Sequence, residues 1–355
     1  MSITGHQTLL FTVHHIDNSL TTPNKVNVIT TDFEQFTNKL FMQDLSAANK
    51  RSFKFSRESS EVAQIVNDLV NNVDNPNFNS TFEAKTDLLA ERLLDVQQKV
   101  AQRHPGINPP KNGSLVVVFQ KQNDKINILL SKIDQAIFLN LEDALYKSGL
   151  PDEKATQKTC SISYHLVDDK YEIASIIVSD TKPKISLFWS EDFLELKELT
   201  SDEHNTTTAF TAIENVISSY VKRKSRGDYT ELRNNLVGYF QTRQSFRLDD
   251  MIDYVIGEYR PDNQEIDISK LKEKLNKLPE KNHFDTSFNI VSSQIKARFK
   301  RTYKVSEKIE LRTSDYIEDL KNVIVAKEDP EYGNKILVIR NISEDIYNTF
   351  KGQED

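Results

Sequence analysis

The first half of the chain alternates between helical and strand-like spacing of hydrophobic residues. Leu89, Leu93, Val96 and Val100 recur at intervals of four, three and four residues, which predicts a long amphipathic helix from about residue 81 to 102. Residues 115–119 form an uninterrupted apolar run, which is typical of a central strand buried on both faces. The N-terminal half therefore combines helices with a β-sheet.

Two polar segments divide the β-rich region and predict hairpin turns. Residues 122–125 (QNDK) separate the apolar run at 115–119 from the one at 126–130. Residues 167–170 (VDDK) separate the strand candidates 162–166 and 171–178 in the same way. We predict one further strand over residues 185–189.

Beyond residue 200 the hydrophobic spacing becomes helical. Three apolar faces follow one another, in residues 210–221, in 248–256 and in 284–299. The third face consists of Phe284, Phe288, Val291, Ile295 and Phe299. Residues 322–326 and 335–340 then flank a turn at 329–334 and predict a terminal β-hairpin.

These patterns predict an α+β protein with two domains. A chain of 355 residues is longer than the roughly 250–300 residues at which single hydrophobic cores stop growing. We expect an N-terminal mixed domain with a β-sheet and helices over residues 1–199. We expect a C-terminal, mainly helical domain over residues 200–355, which ends in the β-hairpin.

Composition favours a cytoplasmic protein. Cys160 is the one cysteine, so an internal disulfide is excluded. The first residues lack the basic region and apolar run of a signal peptide. No stretch approaches the roughly 20 apolar residues that a membrane helix needs. We therefore expect a cytoplasmic location and no membrane partner.

The sequence carries no pattern that a known cofactor or catalytic chemistry requires. It lacks GxxxxGK[ST], GxGxxG, HExxH and CxxC, so we expect no cofactor, no metal and a non-enzymatic role. Asp180 followed by Glu195 and Lys197 resembles the order of residues in Mg²⁺-dependent nucleases, where carboxylates hold the metal and lysine orients water. Because Glu-x-Lys arises by chance in a chain rich in both residues, the nuclease is kept as an alternative only.

Two basic clusters contrast with the net charge of −7. Cations at the end of a helix are favoured by its dipole, so each cluster also has a purely structural explanation. A local excess of positive charge nevertheless allows an acidic protein to bind a phosphate backbone. The first cluster spans residues 222–226. The second consists of Lys296, Arg298, Lys300, Arg301 and Lys304, with Phe299 and Tyr303 interleaved as packing or supporting residues. The predicted contacts to DNA phosphates are Lys222, Arg223, Lys224, Arg226, Lys296, Arg298, Lys300 and Arg301.

The order of elements resembles that of the bacterial nucleoid-associated protein family of the NdpA/YejK type, over nearly the whole chain. The similarity is one of pattern and order. It is carried by FSRESSEVA (55–63), GSLVVVF (113–119), ILLSKI (128–133), LEL (194–196), the helix over 210–220, KNVIV (321–325) and KILVI (335–339). One segment departs from the family. Residues 201–206 (SDEHNT) are acidic where the family tends to be basic, so no DNA contact is carried over there.

The resemblance implies a non-enzymatic nucleoid protein that binds double-stranded DNA or DNA-bound proteins, and a homo-oligomer. Because no helix-turn-helix or zinc module is recognisable, we expect binding without strong sequence preference. An alternative from another class is a protein-interaction subunit of a chromosome-maintenance or phage-defence assembly. Its acidic balance would then face a basic protein partner.

Overall fold

The computed structural model describes residues 7–27, 30–32, 35–36, 39–40, 49–103, 110–151, 157–182 and 184–352. Residues 1–6, on which the expectation of no signal peptide depends, lie outside these ranges. Within them the chain combines α-helices with an antiparallel sheet, which confirms the predicted α+β class.

The chain divides into two compact units. The first consists of Met1–Ser201 with Asp285–Ser287, and the second of Asp202–Phe284 with Phe288–Asp355. The sequence pattern predicts a boundary between residues 199 and 200. Asp285 belongs with the first unit because its carboxylate accepts hydrogen bonds from the Ser52 N–H at 2.7 Å and the Thr200 hydroxyl at 2.8 Å.

The first unit is built, in its described residues, on an eight-stranded antiparallel sheet. Its strands are β1 (Gln7–Ile16), β2 (Asn24–Lys25), β3 (Lys50–Phe55), β4 (Gly113–Gln122), β5 (Lys125–Asp134), β8 (Gln157–Val167), β9 (Lys170–Asp180) and β10 (Leu196–Glu198). They lie in the order β10-β3-β9-β8-β5-β4-β1-β2. A separate hairpin of β6 (Ala136–Leu139) and β7 (Tyr146–Gly149) follows β5.

Both predicted hairpin turns are confirmed. Asn123 joins β4 to β5 with a φ of 52°, and Asp168 and Asp169 join β8 to β9 with φ values of 48° and 59°. Asn and Asp tolerate this left-handed backbone, which matches the twist of the flanking strands. Short polar signals therefore determine the register of the central strands.

Helices α1 (Glu61–Asn71) and α2 (Phe78–Arg103) cover one face of the sheet. The long helix predicted around residues 81–102 is confirmed. Phe78 of α2 packs edge-on against Phe119 of β4, with ring centroids 4.8 Å apart. Leu115, Val117 and Phe119 face this core and Val116 and Val118 face a second one, so β4 is buried on both sides, as predicted.

The strand predicted over residues 185–189 is wrong. Residues Phe188–Phe193 form a single π-helical turn instead. Trp189 is fully buried there, and its indole Nε1 donates to the Thr159 carbonyl at 3.3 Å. The apolar run is therefore explained by core packing of a turn and not by strand pairing.

The second unit has its own core, formed mainly by helices. These are α3 (Asp202–Val221), α4 (Arg226–Thr242), α5 (Leu248–Ile256), α6 (Ile268–Asn276) and α7 (Leu278–Asn282). Short strands β11 (Ser245–Arg247) and β12 (Ser287–Asn289) form a two-stranded sheet.

The helix predicted over residues 284–299 is also wrong. This segment contains β12, a 3₁₀ turn at Ser292–Gln294 and only the short helix α8 (Lys296–Phe299). Phe288 stacks on Phe246 with ring centroids 4.5 Å apart, so the apolar residues reach the core from an irregular segment.

Two hairpins and a helix complete the described part of the second unit. Strands β13 (Arg301–Lys304) and β14 (Glu310–Thr313) pair first. A short helix α9 (Leu320–Val323) leads into the hairpin of β15 (Ile324–Glu328) and β16 (Lys335–Ile339). Helix α10 (Glu344–Phe350) follows β16.

Candidate nucleic-acid interface

The first basic cluster connects α3 to α4. Helix α3 ends at Val221, and Lys222–Lys224 form the turn that follows it. Ser225 caps α4 by accepting a hydrogen bond from the Asp228 N–H at 3.1 Å. Arg226 is thus the first residue of α4, where the helix dipole opposes a positive charge. The dipole therefore does not explain the presence of Arg226.

Three of the four cations in this connection are exposed. These are Lys222, Arg223 and Arg226. Lys224 is partly buried, because its Nζ donates to the Glu265 carbonyl at 2.8 Å and lies 4.3 Å from the centroid of the Tyr220 ring. Lys224 thus anchors the connection, while the other three cations face solvent.

The second cluster spans α8 and the start of β13. Lys296 and Lys300 are exposed, whereas Phe299 between them is buried in the core and is not part of the surface. Arg298 contacts other residues of the second unit. Its Nη1 lies 3.7 Å from Glu214, and its carbonyl accepts a hydrogen bond from the Arg233 guanidinium. The exposed, unpaired charge of this cluster in the described ranges therefore comes mainly from Lys296 and Lys300, whereas Arg301 is half-buried.

The two clusters meet at Tyr229. The Lys222 Nζ lies 5.4 Å from the centroid of this ring, and the Arg301 Cζ lies 4.7 Å from it. Arg301 also lies 5.1 Å from the ring of Tyr303. We call Lys222, Arg223, Arg226, Lys296, Lys300 and Arg301 the basic surface. Sequence reasoning missed Tyr229, because nothing local distinguishes it from other helical aromatics.

Most of the basic surface lacks acidic partners. Arg223, Arg226, Lys296 and Lys300 form no ion pair with any residue in the described ranges. Arg298 differs, because Glu214 lies close to it. In a chain with a net charge of −7, uncompensated cations brought together by the fold form a local positive field.

Asp228 holds the first cluster in place. Its buried carboxylate accepts hydrogen bonds from the Tyr259 hydroxyl at 2.5 Å, the Asp262 N–H at 2.8 Å and the Asn263 N–H at 3.2 Å. Burial alone would raise the pKa of Asp228, but these donors together hold that pKa below its usual value. Asp228 was not a predicted functional residue, and its role here is to position the connection.

Asp180 lies far from Glu195 and Lys197, the other two residues of the nuclease alternative. Glu195 precedes β10, whose Leu196 pairs with Phe55, whereas Asp180 follows Ser179, which pairs with Lys50 at the other end of β3. Five residues along a strand correspond to about 17 Å. Lys197 is exposed on β10, beside Glu195 and not beside Asp180.

Both carboxylates have structural roles instead. Asp180 accepts hydrogen bonds from the Lys182 N–H at 2.9 Å and the Ser186 hydroxyl at 2.8 Å. Glu195 accepts one from the Glu61 N–H at 2.7 Å, at the start of α1. In the described ranges no group of three or more His, Cys, Asp or Glu side chains could hold a metal ion.

Comparison with protein families and curated proteins identifies no function for this chain. The chain matches no protein-family model and no curated protein. The resemblance to the NdpA/YejK type therefore stays a hypothesis. None of the helices in the described ranges combines the length and apolar content needed to cross a bilayer.

Proposed function

We propose that this protein binds double-stranded DNA through phosphate contacts made by the basic surface, without strong sequence preference. The observation that carries the proposal is that two sequence-distant basic clusters meet at Tyr229, and that most of their cations form no ion pair within the described part of the chain. On this proposal the protein is a non-enzymatic, nucleoid-associated protein of the bacterial cytoplasm, as the family resemblance implies.

The location of the cations favours backbone contacts over base contacts. Base edges are read by helices or β-ribbons that enter a groove, whereas phosphate contacts come from any exposed cation at the surface. Lys222 and Arg223 lie on a turn, and Lys296 lies on a helix of four residues. Neither element is long enough to insert into the major groove, so we expect affinity to arise from counterion release.

Equal affinity for unrelated duplexes tests this proposal. We expect labelled duplexes of one length and three unrelated sequences to bind with dissociation constants that differ far less than the 10³-fold or more typical of specific recognition. Gel-shift titration of each duplex, with unlabelled competitors of the other two, measures this. A strong preference for one sequence, or no binding at low salt, would contradict the proposal.

One observation favours the alternative of a protein-interaction subunit. The β6–β7 hairpin exposes large apolar side chains, among them Ile137 at 77%, Leu141 at 92% and Tyr146 at 78%. Exposed apolar patches of this kind mark protein-interaction sites. A stoichiometric partner that survives nuclease treatment, and is lost on Leu141→Asp substitution, would support membership of a chromosome-maintenance or phage-defence assembly.

A further inference from the structure

Among the described residues, Arg301 is the one cation of the basic surface that lies over two aromatic rings. It is the first residue of β13, and its Cζ lies 4.7 Å from the centroid of the Tyr229 ring and 5.1 Å from that of the Tyr303 ring. Tyr229 is itself buried. A guanidinium within about 6 Å of an aromatic ring is attracted to it. The two ring contacts therefore hold this half-buried guanidinium in place.

The side chain of Arg301 has donors without acceptors. A guanidinium carries five N–H donors. The Nη1 of Arg301 is buried without a hydrogen-bond partner, and within the described ranges the side chain forms neither a hydrogen bond nor an ion pair. Aromatic rings accept from N–H groups only weakly. Because buried polar groups are normally hydrogen-bonded, this arrangement favours an acceptor that is not part of the chain.

Two other arginines of the described residues have a buried nitrogen without a hydrogen bond, but both are paired with a carboxylate through another nitrogen. Arg51 lies 2.8 Å from Glu198, and Arg247 lies 2.6 Å from Asp249. Arg301 has no such carboxylate within the described part of the chain. Its charge and its donors are therefore available to an anion that binds from solution.

A second cation adds positive charge at the Tyr229 ring. The Lys222 Nζ lies 5.4 Å from the centroid of this ring, and Lys222 forms no ion pair with a residue in the described ranges. The acid next to Tyr229 in the chain, Asp228, does not compete for either cation, because its carboxylate accepts hydrogen bonds from the Tyr259 hydroxyl and the Asp262 N–H. One fixed guanidinium and one exposed ammonium thus lie at the same ring.

We propose that Arg301 forms a discrete phosphate-binding site, in which its guanidinium donates to two oxygens of one phosphate group and Lys222 supplies further positive charge. The planar fork of arginine matches two phosphate oxygens, whereas an ammonium acts as a point charge. In a duplex this phosphate is a backbone phosphodiester, and that part of the inference rests on the proposed DNA binding. A free phosphate ion has the same chemistry, so duplex and free phosphate are tested separately.

The substitution Arg301→Lys removes the planar fork and keeps the charge. We expect duplex affinity at fixed salt to fall about 10-fold, as loss of one charge-assisted hydrogen bond does. The slope of log K against log salt should stay as in wild type, because the number of cations is unchanged. Arg243→Lys is the matched control. Arg243 lies 5.7 Å from the Tyr254 centroid but has Asp250 at 3.9 Å, so this variant should bind as wild type.

Tyr303 tests the contribution of the ring contacts. Tyr303→Leu removes one ring and should weaken duplex binding about 3-fold, whereas Tyr303→Phe keeps the ring and should bind as wild type. Far-UV circular dichroism checks that each variant is folded. Wild-type affinity of Arg301→Lys, together with weaker binding by Lys296→Ala with Lys300→Ala, would overturn the site and leave DNA binding by the basic surface in place.

Inorganic phosphate, used as the probe, distinguishes the two sources of the phosphate group. Replacing chloride by phosphate at constant ionic strength should weaken duplex binding by wild type but not by Arg301→Lys, and acetate should have no such effect. An equal effect of phosphate on both proteins, or equal competition by acetate, would overturn the site. If wild type binds no duplex at low salt, the proposed function fails, and line broadening of inorganic phosphate in phosphorus NMR decides. Broadening that Arg301→Lys abolishes supports a site for free phosphate, whereas broadening that this variant retains, or none in wild type, overturns it.

Discussion

Replacing Lys222, Arg223, Lys296 and Lys300 together by alanine should weaken duplex binding by about 100-fold near 0.1 M salt. The fold brings Lys222 and Arg301, one cation from each cluster, to the ring of Tyr229. The four replaced cations form no ion pair with a residue in the described ranges. Each lost phosphate contact removes counterion release, so the loss should be similar on unrelated sequences. Fluorescence anisotropy with two different duplexes measures it.

A second variant with the same charge change serves as the control. Four exposed lysines of the first unit are replaced by alanine in it: Lys125, Lys170, Lys182 and Lys184. If net charge alone governed binding, both variants would lose affinity equally. We expect the control variant to stay within about 3-fold of wild type, since none of its four lysines belongs to the basic surface and each phosphate contact contributes separately to affinity. Equal losses of affinity in the two variants would show that the basic surface is not the DNA-binding site.

Replacing Asp228 by alanine should destabilise the second unit by about 2–4 kcal/mol. The Tyr259 hydroxyl and the N–H groups of Asp262 and Asn263 would all lose their acceptor in a buried site. Trp189, the single tryptophan, lies in the first unit, so urea unfolding of the second is best followed by far-UV circular dichroism. Asp228→Asn keeps one oxygen acceptor and should lose less. A stability within about 0.5 kcal/mol of wild type for both variants would contradict this role.

The contribution of Asp228 should also depend on pH in a defined direction. Its pKa is lowered in the folded protein, so the unfolded chain binds a proton at higher pH than the native one. The stabilisation is therefore complete above the unfolded pKa, about 3.9, and is lost as pH falls through the lower folded value. The stability difference between wild type and Asp228→Asn should shrink below about pH 4. A difference that grows on acidification would show that the sign is wrong.

The sequence predicted those parts of the fold that local signals determine. The turns at Asn123 and Asp168 are specified by residues that tolerate left-handed backbone, and α2 by its apolar spacing. The failures come from tertiary packing. Phe288 has helical spacing with its neighbours, yet it leaves an irregular segment to stack on Phe246. A core can take apolar side chains from any backbone, so periodicity alone misassigned the segment.

The candidate site shows the same division between local and distant information. The cations could be found from composition, because four lie within residues 222–226 of an acidic chain. The proximity of the two clusters could not be predicted from the sequence. Lys222 and Arg301 lie over the same ring, that of Tyr229, only because of the packing of the second unit. The engagement of Lys224 with Tyr220 and the proximity of Arg298 to Glu214 were equally hidden. Asp228 has no local sequence signal that distinguishes it from a surface acid beside a basic run.

The salt dependence of duplex affinity is the most direct test of phosphate-driven DNA binding by this protein. Anisotropy titrations of wild-type protein at several salt concentrations give the slope of log K against log salt. Six cations on the basic surface predict a slope of about −5, because each neutralised phosphate contributes roughly −0.9. A slope of this size, flattened in the four-alanine variant, is the expected result. Binding that is insensitive to salt, or absent at the lowest salt, would contradict it.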